Sequence, residues 1–433
     1  MRGPSVAWKK KTLLFMASQA FSLFGSSLVS YAILWRITLD TQSGFMMTLY
    51  LLFGFLPTFF LSPFAGVWAD RYDRKRLIML ADGLIAAATL VLAVFFLAGY
   101  KDLWLLFVIP LIRAFGSAVQ SPAVSALLPQ IVPEDQLMKT NGLFTSLNSA
   151  IMLISPMVSG ALLSFTSLEL ILMIDIVTAI AAILVLYIQK LPAHVRSEAN
   201  QNQKYWQDMV AGVNYIRRHE YIGRFFVYIT ILFFMVTPLA ILTPLQVTRS
   251  FGDDIWRLTA IEVVFSSGML AGGLLIASWG GFRNRVKTMA FSTLMVGVTS
   301  FLLGVVPNFW IYLGIMAITG VTLPLYNTPA TVLLQEKVEP DYLGRVFGVM
   351  GMIASGVMPM AMLIFGPLAD RIRIEWLLIG SGVLLTILSG GLAMNKVLIR
   401  VGEPAHLADA DEPATQPVRI RTECPIGEPN CQL

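Results

Sequence analysis

The chain has 433 residues, of which 56% are hydrophobic and 13% are charged. The charged share is about half that of an average soluble protein, which excludes an ordinary soluble globular domain. We therefore expect a membrane protein whose first partner is the lipid bilayer.

Apolar runs long enough to cross a bilayer follow one another along most of the chain. A transmembrane helix needs about 20 apolar residues, whereas the strands of a membrane β-barrel would show an alternating pattern over about ten. The sequence therefore predicts an all-α polytopic membrane protein. Its twelve predicted transmembrane helices cover residues 12–37, 44–69, 77–99, 103–128, 142–165, 168–190, 224–248, 256–280, 287–306, 309–334, 343–368 and 374–398.

Lysine and arginine residues predict the orientation of these spans. With a cytoplasmic N-terminus, about 24 basic residues lie inside and about 6 outside, as the positive-inside rule requires. The net charge of +5 then reflects topology and does not indicate a nucleic-acid partner. We predict a multi-pass protein of a bacterial-type plasma (inner) membrane with both termini in the cytoplasm. The first span is too long for a signal peptide and is expected to be retained.

The longest polar interruption divides the spans six and six. Within it, apolar residues at helical spacing predict an amphipathic helix at Tyr205–Arg218 that tethers the halves or regulates them. Cys424 and Cys431 are expected to be reduced in the cytoplasm, and two lone thiols do not predict a metal site. The predicted organisation is an N-terminal half at 1–190, a cytoplasmic linker at 191–222, a C-terminal half at 223–400 and a disordered cytoplasmic tail at 401–433.

The two halves repeat each other over three segments. PAVSALLPQIVPEDQLMKTNGL matches PATVLLQEKVEPDYLGRVFGV, GALLSFTSLEL matches GPLADRIRIEW, and WADRYDRKR matches WGGFRNRVK. Repeated six-helix halves are typical of secondary transporters, which rock the halves about a central site. Matched positions include Pro122 with Pro329, Asp73 with Asn284, Arg74 with Arg285, Gly160 with Gly366 and Glu169 with Glu375.

The loop after the second span, GVWADRYDRKR, has more charge than topology requires. Four basic residues satisfy the positive-inside rule, but that rule does not explain Asp70, Asp73 or the GxxxD lead-in. The stretch resembles motif A of the major facilitator superfamily, with Asp73 in place of the second glycine. The resemblance implies a charged gate that closes the cytoplasmic side; the alternative is a plain topology signal. The candidate gating residues are Gly66, Asp70, Arg71, Asp73, Arg74 and Lys75.

The fifth span has the spacing of the drug-antiporter signature of the same superfamily. Gly142, Pro156 and Gly160 match it, and serines fill two other positions. Small residues allow close helix contact and Pro156 bends the helix, although an ordinary packed helix is the alternative. With the segments SPFAGVWADRYDRKR, VPEDQL, EPDYLGRVFGV and GPLAD, the chain is similar to the macrolide-efflux branch, which is close to siderophore exporters.

No G-x4-G-K-[ST] phosphate-binding loop occurs in the sequence, so we expect a proton gradient as the energy source. A proton carrier must titrate while it faces a water-filled cavity. The histidines fall in predicted cytoplasmic segments, which leaves the intramembrane acids. The candidates are Glu262, Asp175 and Asp82, whose alternatives are structural roles, and Arg113, which resembles the motif B arginine and would tune or neutralise one acid.

The resemblance implies that the first, fourth, seventh and tenth spans line the substrate cavity. Aromatic walls with a few polar groups suit a large, mostly apolar ligand, although the same aromatic residues also serve packing. The candidate cavity residues are Gln19, Phe24, Tyr31, Phe233, Thr237, Tyr312, Tyr326 and Asn327.

These observations predict a monomeric transporter that exports an amphiphilic small molecule, of the macrolide type, in exchange for protons and without a cofactor or metal. Within transport, the alternative is a siderophore or other metabolite exporter. In another class, it is a membrane sensor or scaffold without flux. An enzyme is not expected, because no nucleophile–base pair, metal cluster or phosphate loop is visible.

Overall fold

The computed structural model describes residues 4–133, 136–189 and 205–403, and within these ranges the chain is helical without strands. Twelve of the described segments are long and apolar enough to cross a membrane, which confirms the predicted all-α polytopic fold. The helices are α1 Pro4–Thr41, α2 Gly44–Arg71, α3 Arg74–Leu97, α4 Leu105–Ile131, α5 Leu137–Phe165, α6 Leu168–Ile188, α7 Tyr205–Arg218, α8 Glu220–Ile241, α9 Thr243–Phe251, α10 Ile255–Trp279, α11 Arg285–Val305, α12 Phe309–Lys337, α13 Pro340–Ala369, α14 Ile374–Met394 and α15 Lys396–Val401.

The seventh span was predicted as one continuous helix at 224–248, and the structure shows a break within it. It consists of two helices, α8 and α9, that meet at Leu242 and together run from Glu220 to Phe251. Pro238 lies inside α8 and Pro244 in the first turn of α9, and a proline cannot donate a backbone hydrogen bond. In α9, Arg249 forms a hydrogen bond of 3.1 Å with the Gln42 carbonyl in the turn between α1 and α2.

The helices pack in two groups, α1–α6 and α8–α14. Glycines allow close contact inside the second group, where a Cβ built on Gly268 would lie 2.1 Å from the Ala317 carbonyl oxygen. Between the groups, α2 packs against α13 and α5 against α10. Helix α7 packs against α13, with the Tyr215 and Tyr342 rings stacked at 4.4 Å. The remainder of the predicted linker and tail, residues 190–204 and 404–433, lies outside the described residues.

The two groups touch at one end of the helices and separate at the other. At the end where α1 meets α2, a Cβ built on Gly366 would lie 1.8 Å from the Thr48 hydroxyl, and one on Gly160 would lie 1.8 Å from the Thr259 hydroxyl. At the end where α2 meets α3, a Cβ on Gly142 or Gly348 would meet nothing within 4 Å. The described residues thus form a cleft that is closed at the α1–α2 end and open at the α2–α3 end.

Candidate functional site

A cavity of about 310 Å³ lies beside the cleft, between α8, α10, α11 and α12. We call it the Glu262 cavity. Its walls are mostly apolar and aromatic, with Phe233, Phe265 and Tyr326 among them, and Glu262 and Asn327 supply polar groups. An apolar site with a few polar groups is the usual composition of a small-molecule pocket.

The Glu262 carboxyl group is the acidic group of this cavity. The described part of the chain forms no hydrogen bond or ion pair with its carboxyl group, which is half-buried. The Tyr31 phenol of α1 lies within electrostatic range of it across the cleft. Because an ionisable group in a membrane helix is expensive without a partner, the geometry suits a carboxyl group that receives a proton or a cationic ligand.

A second cavity, of about 380 Å³, lies in the first group of helices. Ser26, Ser30, Tyr50 and Arg113 line it, together with Pro359 of α13. The neighbouring residue Met358 lines the Glu262 cavity. Helix α13 therefore separates the two cavities at an internal proline, where the helix lacks a backbone hydrogen bond.

Arg113 and Asp175 form a buried ion pair with an N–O distance of 2.5 Å, and their side chains are 8% and 1% exposed. The Thr89 hydroxyl donates to Asp175 Oδ2 at 2.9 Å, and Arg113 also donates to Thr89 and to the Ser26 carbonyl. Gly25 leaves the space for this acid, since a Cβ there would lie 2.8 Å from Asp175 Oδ1. The structure thus brings the candidate residues Arg113 and Asp175 together, and the guanidinium group balances the charge of the carboxylate.

Asp82 occupies a separate buried cluster. Its Oδ1 accepts hydrogen bonds of 2.6 Å from both the Ser22 hydroxyl and the Gln120 amide, whereas its Oδ2 has no partner among the described residues. Asp82 and Thr89 are seven residues apart on α3, which is about 10 Å. The three candidate acids therefore lie in three different places. Of these three, only Glu262 lines the Glu262 cavity beside the cleft.

The predicted cavity residues divide into two sets. Phe233, Tyr326 and Asn327 line the Glu262 cavity, and Tyr31 packs against the neighbouring hydrophobic core. Phe24 is partly buried and packs against the core of the first helix group.

Three other residues that were predicted to line the substrate cavity are instead buried between helices, which corrects that prediction. Gln19, Thr237 and Tyr312 are 1%, 0% and 0% exposed. The Tyr312 hydroxyl donates to Gln246 Oε1 at 2.9 Å, and the Thr237 hydroxyl donates to the Phe233 carbonyl of its own helix at 2.8 Å. They lie on the predicted helices but on faces that pack against neighbours.

Two basic residues of the charged loop after α2, Arg74 and Lys75, form hydrogen bonds within the first helix group. Arg74 donates to the carbonyls of Ala69 at 3.0 Å and Ala126 at 2.7 Å. Lys75 Nζ donates to the carbonyls of Tyr187 at 2.9 Å and Gln189 at 2.7 Å, where a cation also complements the C-terminal dipole of α6. Both basic residues therefore fasten α3 to α2, α4 and α6. Gly66, Asp70 and Arg71 lie in the last turns of α2, and the side chains of Asp70 and Arg71 lie outside the described residues.

Asp73, predicted as a gating residue, is the N-cap of α3. Its carboxylate accepts a hydrogen bond of 2.9 Å from the backbone N–H of Arg76. Its match in the repeat, Asn284, is the N-cap of α11 and accepts from Val286 N–H at 3.0 Å. An N-cap side chain satisfies one of the free N–H groups of the first turn. The replacement of the usual glycine is thus explained by helix capping.

The predicted antiporter helix, α5, joins the two ends of the cleft. Pro156 lies inside it, and the Ser159 hydroxyl donates to the Leu28 carbonyl of α1 at 3.0 Å. Gly160 lies against Thr259 of α10 at the closed end, whereas Gly142 is exposed at the open end. The small residue at 160 permits the contact between the groups.

Two charged residues that sequence reasoning missed connect the helix groups at the closed end. The Asp370 carboxylate accepts hydrogen bonds from the Ser43 hydroxyl at 2.7 Å, Gly44 N–H at 2.8 Å and Phe45 N–H at 2.9 Å. Arg249 Nη2 donates to Asp370 Oδ1 at 2.8 Å. Partial burial raises the pKa of Asp370, but these hydrogen bonds outweigh it and lower the pKa, so the group is a carboxylate at neutral pH. The one sequence signal was the acid of GPLAD, which stands where the repeat has Ser164.

Two helix groups around a cleft, with ionisable side chains at membrane depth, are typical of membrane transporters. The model of the Major Facilitator Superfamily matches residues 15–361. The chain belongs to this superfamily and is a multi-pass membrane transporter.

Named relatives narrow the branch. Macrolide efflux protein A of Streptococcus pyogenes is 34% identical over 382 residues, which cover 87% of this chain and 94% of that protein. A protein of the same name from Enterococcus faecalis is 34% identical over 315 residues, 72% of this chain and 97% of that protein. The resemblance to the macrolide-efflux branch is thus confirmed.

Solved structures agree on the fold. The nucleoside transporter NupG superimposes with a TM-score of 0.67 at 13% identity, over 89% of this chain and 99% of that chain. A bacterial homologue of the iron transporter ferroportin, in the inward-facing state, gives a TM-score of 0.64 at 16% identity, over 89% and 99% of the two chains.

The cap role of Asp73 leads to a testable expectation. Asp73→Ala should lower the free energy of unfolding by about 1 kcal/mol, because it removes an N-cap acceptor, whereas Asp73→Ser keeps a capping oxygen and should stay close to wild type. Thermal unfolding of both purified variants measures this. If both variants lose transport at unchanged thermal stability, Asp73 acts in a gate instead.

Proposed function

We propose that this chain is a proton-coupled antiporter that exports amphiphilic drugs, of the macrolide type, by alternating access. Its support in the comparisons is the 34% identity to macrolide efflux protein A over most of both chains. Its support in the structure is a cleft between two helix groups that is closed at one end.

The α2–α3 end faces the cytoplasm in this proposal. Arg74, Lys75 and Arg76 follow α2 there, and Arg217 and Arg218 end α7 on the same side, in keeping with the positive-inside rule. We therefore call this end inner and the α1–α2 end outer. The cleft then opens to the cytoplasm, ready to take up cargo.

The observation that carries the proposal is the unpartnered Glu262 carboxyl group in a mostly apolar cavity. In the inward-open state, the carboxylate binds an amphiphile that carries a basic amine, with apolar groups against the aromatic wall. After the cleft reopens outward, a proton from outside binds Glu262 and the ammonium ion leaves. The neutral acid returns and releases the proton inside, so one proton enters for each cation exported.

The size of the cleft supports a drug-sized cargo. The cavities of about 310 Å³ and 380 Å³ lie on either side of α13, and small-molecule sites have volumes of about 300–1,000 Å³. Arg113 lines the second cavity but forms an ion pair with Asp175. The charge available to bind a ligand therefore comes from Glu262. This favours a cationic amphiphile over an anionic one.

A single chain suffices for this cycle. Both helix groups that line the cleft belong to one chain, so we propose a monomer that uses the proton gradient without a cofactor. In the described ranges, no cluster of three or more metal-ligating side chains occurs.

The test is accumulation of a labelled macrolide in cells that lack their own exporters, with and without a protonophore. The chain should lower accumulation several-fold, and the protonophore should restore it. If the chain reaches the membrane and accumulation does not fall, the macrolide assignment is wrong. If accumulation falls and the protonophore has no effect, proton coupling is wrong.

A further inference from the structure

We propose that Asp370 and Arg249 form a latch that holds the outer end of the cleft closed, and that the latch is a helix cap supplied by the opposite half of the molecule. We call these two residues, with Gln42, Ser43, Gly44 and Phe45, the outer latch. The inference concerns the conformational cycle and does not depend on the identity of the cargo.

The first step is the chemistry at the N-terminus of α2. The first N–H groups of a helix have no partner inside it, and the N-terminus attracts negative charge. Asp370, at the end of α13, accepts hydrogen bonds from Gly44 N–H, Phe45 N–H and the Ser43 hydroxyl. Ser43 is the local N-cap of α2 and accepts from Met46 N–H at 3.3 Å. Asp370 adds an acceptor for two further N–H groups from the opposite helix group.

The second step is the role of Arg249, which forms hydrogen bonds with the end of α13 and with the turn between α1 and α2. It donates to Asp370 Oδ1 at 2.8 Å and to the Ala369 carbonyl at 2.6 Å, and through Nε to the Gln42 carbonyl at 3.1 Å. Gln42 has a φ of 46°, a conformation that non-glycine residues rarely adopt. The arginine therefore binds the end of α13 and the α1–α2 turn simultaneously.

The third step is the contact that the latch closes. A Cβ on Gly44 would lie 2.4 Å from the Gly366 carbonyl oxygen, and the Thr48 hydroxyl donates to the Met362 carbonyl at 3.0 Å. The backbones of α2 and α13 thus touch directly below the latch. The cleft cannot open outward until this contact and the bonds to Asp370 separate.

The second seam between the groups serves as an internal comparison. Helices α5 and α10 meet through the equivalent contact of Gly160 with Thr259, but Ser164 occupies the position of Asp370. The Ser164 hydroxyl donates to the Gly160 carbonyl of its own helix at 2.9 Å. At this matched position, the α2–α13 seam therefore has a charged contact, whereas the α5–α10 seam has a neutral hydroxyl group bonded within its own helix.

The experiment measures distances between spin labels on the full chain in lipid nanodiscs without drug, with Cys424 and Cys431 replaced by serine. One label pair, at Tyr100 and Asp253, reports the outer end, and a second, at Arg76 and Arg283, reports the inner end. These four residues lie in or beside exposed loops. Asp370→Asn should raise the ratio of outward-open to inward-open molecules about tenfold, because a neutral amide loses the charge-assisted bonds.

Three controls make the result specific to the latch. Asp370→Glu should restore the wild-type distances in part, Arg249→Gln should act in the same direction as Asp370→Asn, and Ser164→Ala should change neither distance. An outer distance that lengthens while the inner distance shortens supports the latch. Unchanged distances in Asp370→Asn, or the same change in Ser164→Ala, would overturn it. Failure of the macrolide assay would leave this result untouched, because no drug is present.

Discussion

Glu262→Gln is expected to reduce proton-driven export to the level of liposomes without the protein. The amide has nearly the same size but neither releases a proton nor pairs with a cation, so the exchange of one for the other stops. Glu262→Asp should retain part of the activity, because the carboxyl group stays in the cavity. The measurement is drug efflux from proteoliposomes driven by an imposed pH difference.

A matched control for this variant is Glu169→Gln. Glu169 begins α6 and pairs with Lys101 at 2.8 Å, outside the cleft, so its loss should leave transport near wild type. Drug binding by Glu262→Gln should weaken for cationic cargo more than for neutral cargo. Unchanged pH-driven efflux in Glu262→Gln protein would remove this residue from the mechanism.

Arg113→Gln is expected to lower the free energy of unfolding by about 3–5 kcal/mol, because it leaves the Asp175 carboxylate buried without its cation. The Asp175 side chain is only 1% exposed, so the carboxylate that remains has little contact with solvent. The double variant Arg113→Gln with Asp175→Asn should regain much of the loss, since two neutral amides can bond to each other and to Thr89. Chemical unfolding of the purified proteins in detergent measures the three free energies.

An exposed ion pair provides the comparison. Arg36 and Asp40 are joined at 2.6 Å with side chains 50% and 38% exposed, and Arg36→Gln should change stability by less than about 1 kcal/mol. A double variant less stable than Arg113→Gln alone would show that the pair is not the source of the effect.

The fold could be predicted from the sequence because membrane spans are encoded locally. Runs of about 20 apolar residues define each span without reference to the rest of the chain, and the twelve predicted spans correspond to the twelve in the structure. The break at Leu242 was missed, although Pro238 and Pro244 signalled it. Both prolines lie within an uninterrupted apolar run, and hydropathy alone does not reveal a break between two helices.

The candidate site was less predictable because it depends on helix rotation and on distant pairing. Tyr312 was assigned to the cavity from its span number, yet its face of α12 packs against Gln246. The cap role of Asp73 was within reach of local rules, since aspartate before a helix is a preferred N-cap. The contact of Asp370 with Ser43 spans 327 positions and follows only from the packing of α13 on α2.

The partial exposure of the outer latch makes the external medium part of the transport cycle. Arg249 and Asp370 have side chains 29% and 28% exposed, so mobile ions reach this pair as they do other surface charges. The Debye length falls from about 10 Å at 0.1 M to about 3 Å at 1 M ionic strength. Concentrated salt outside the cell therefore favours release of the latch, whereas the buried pair of Arg113 and Asp175 is shielded from it.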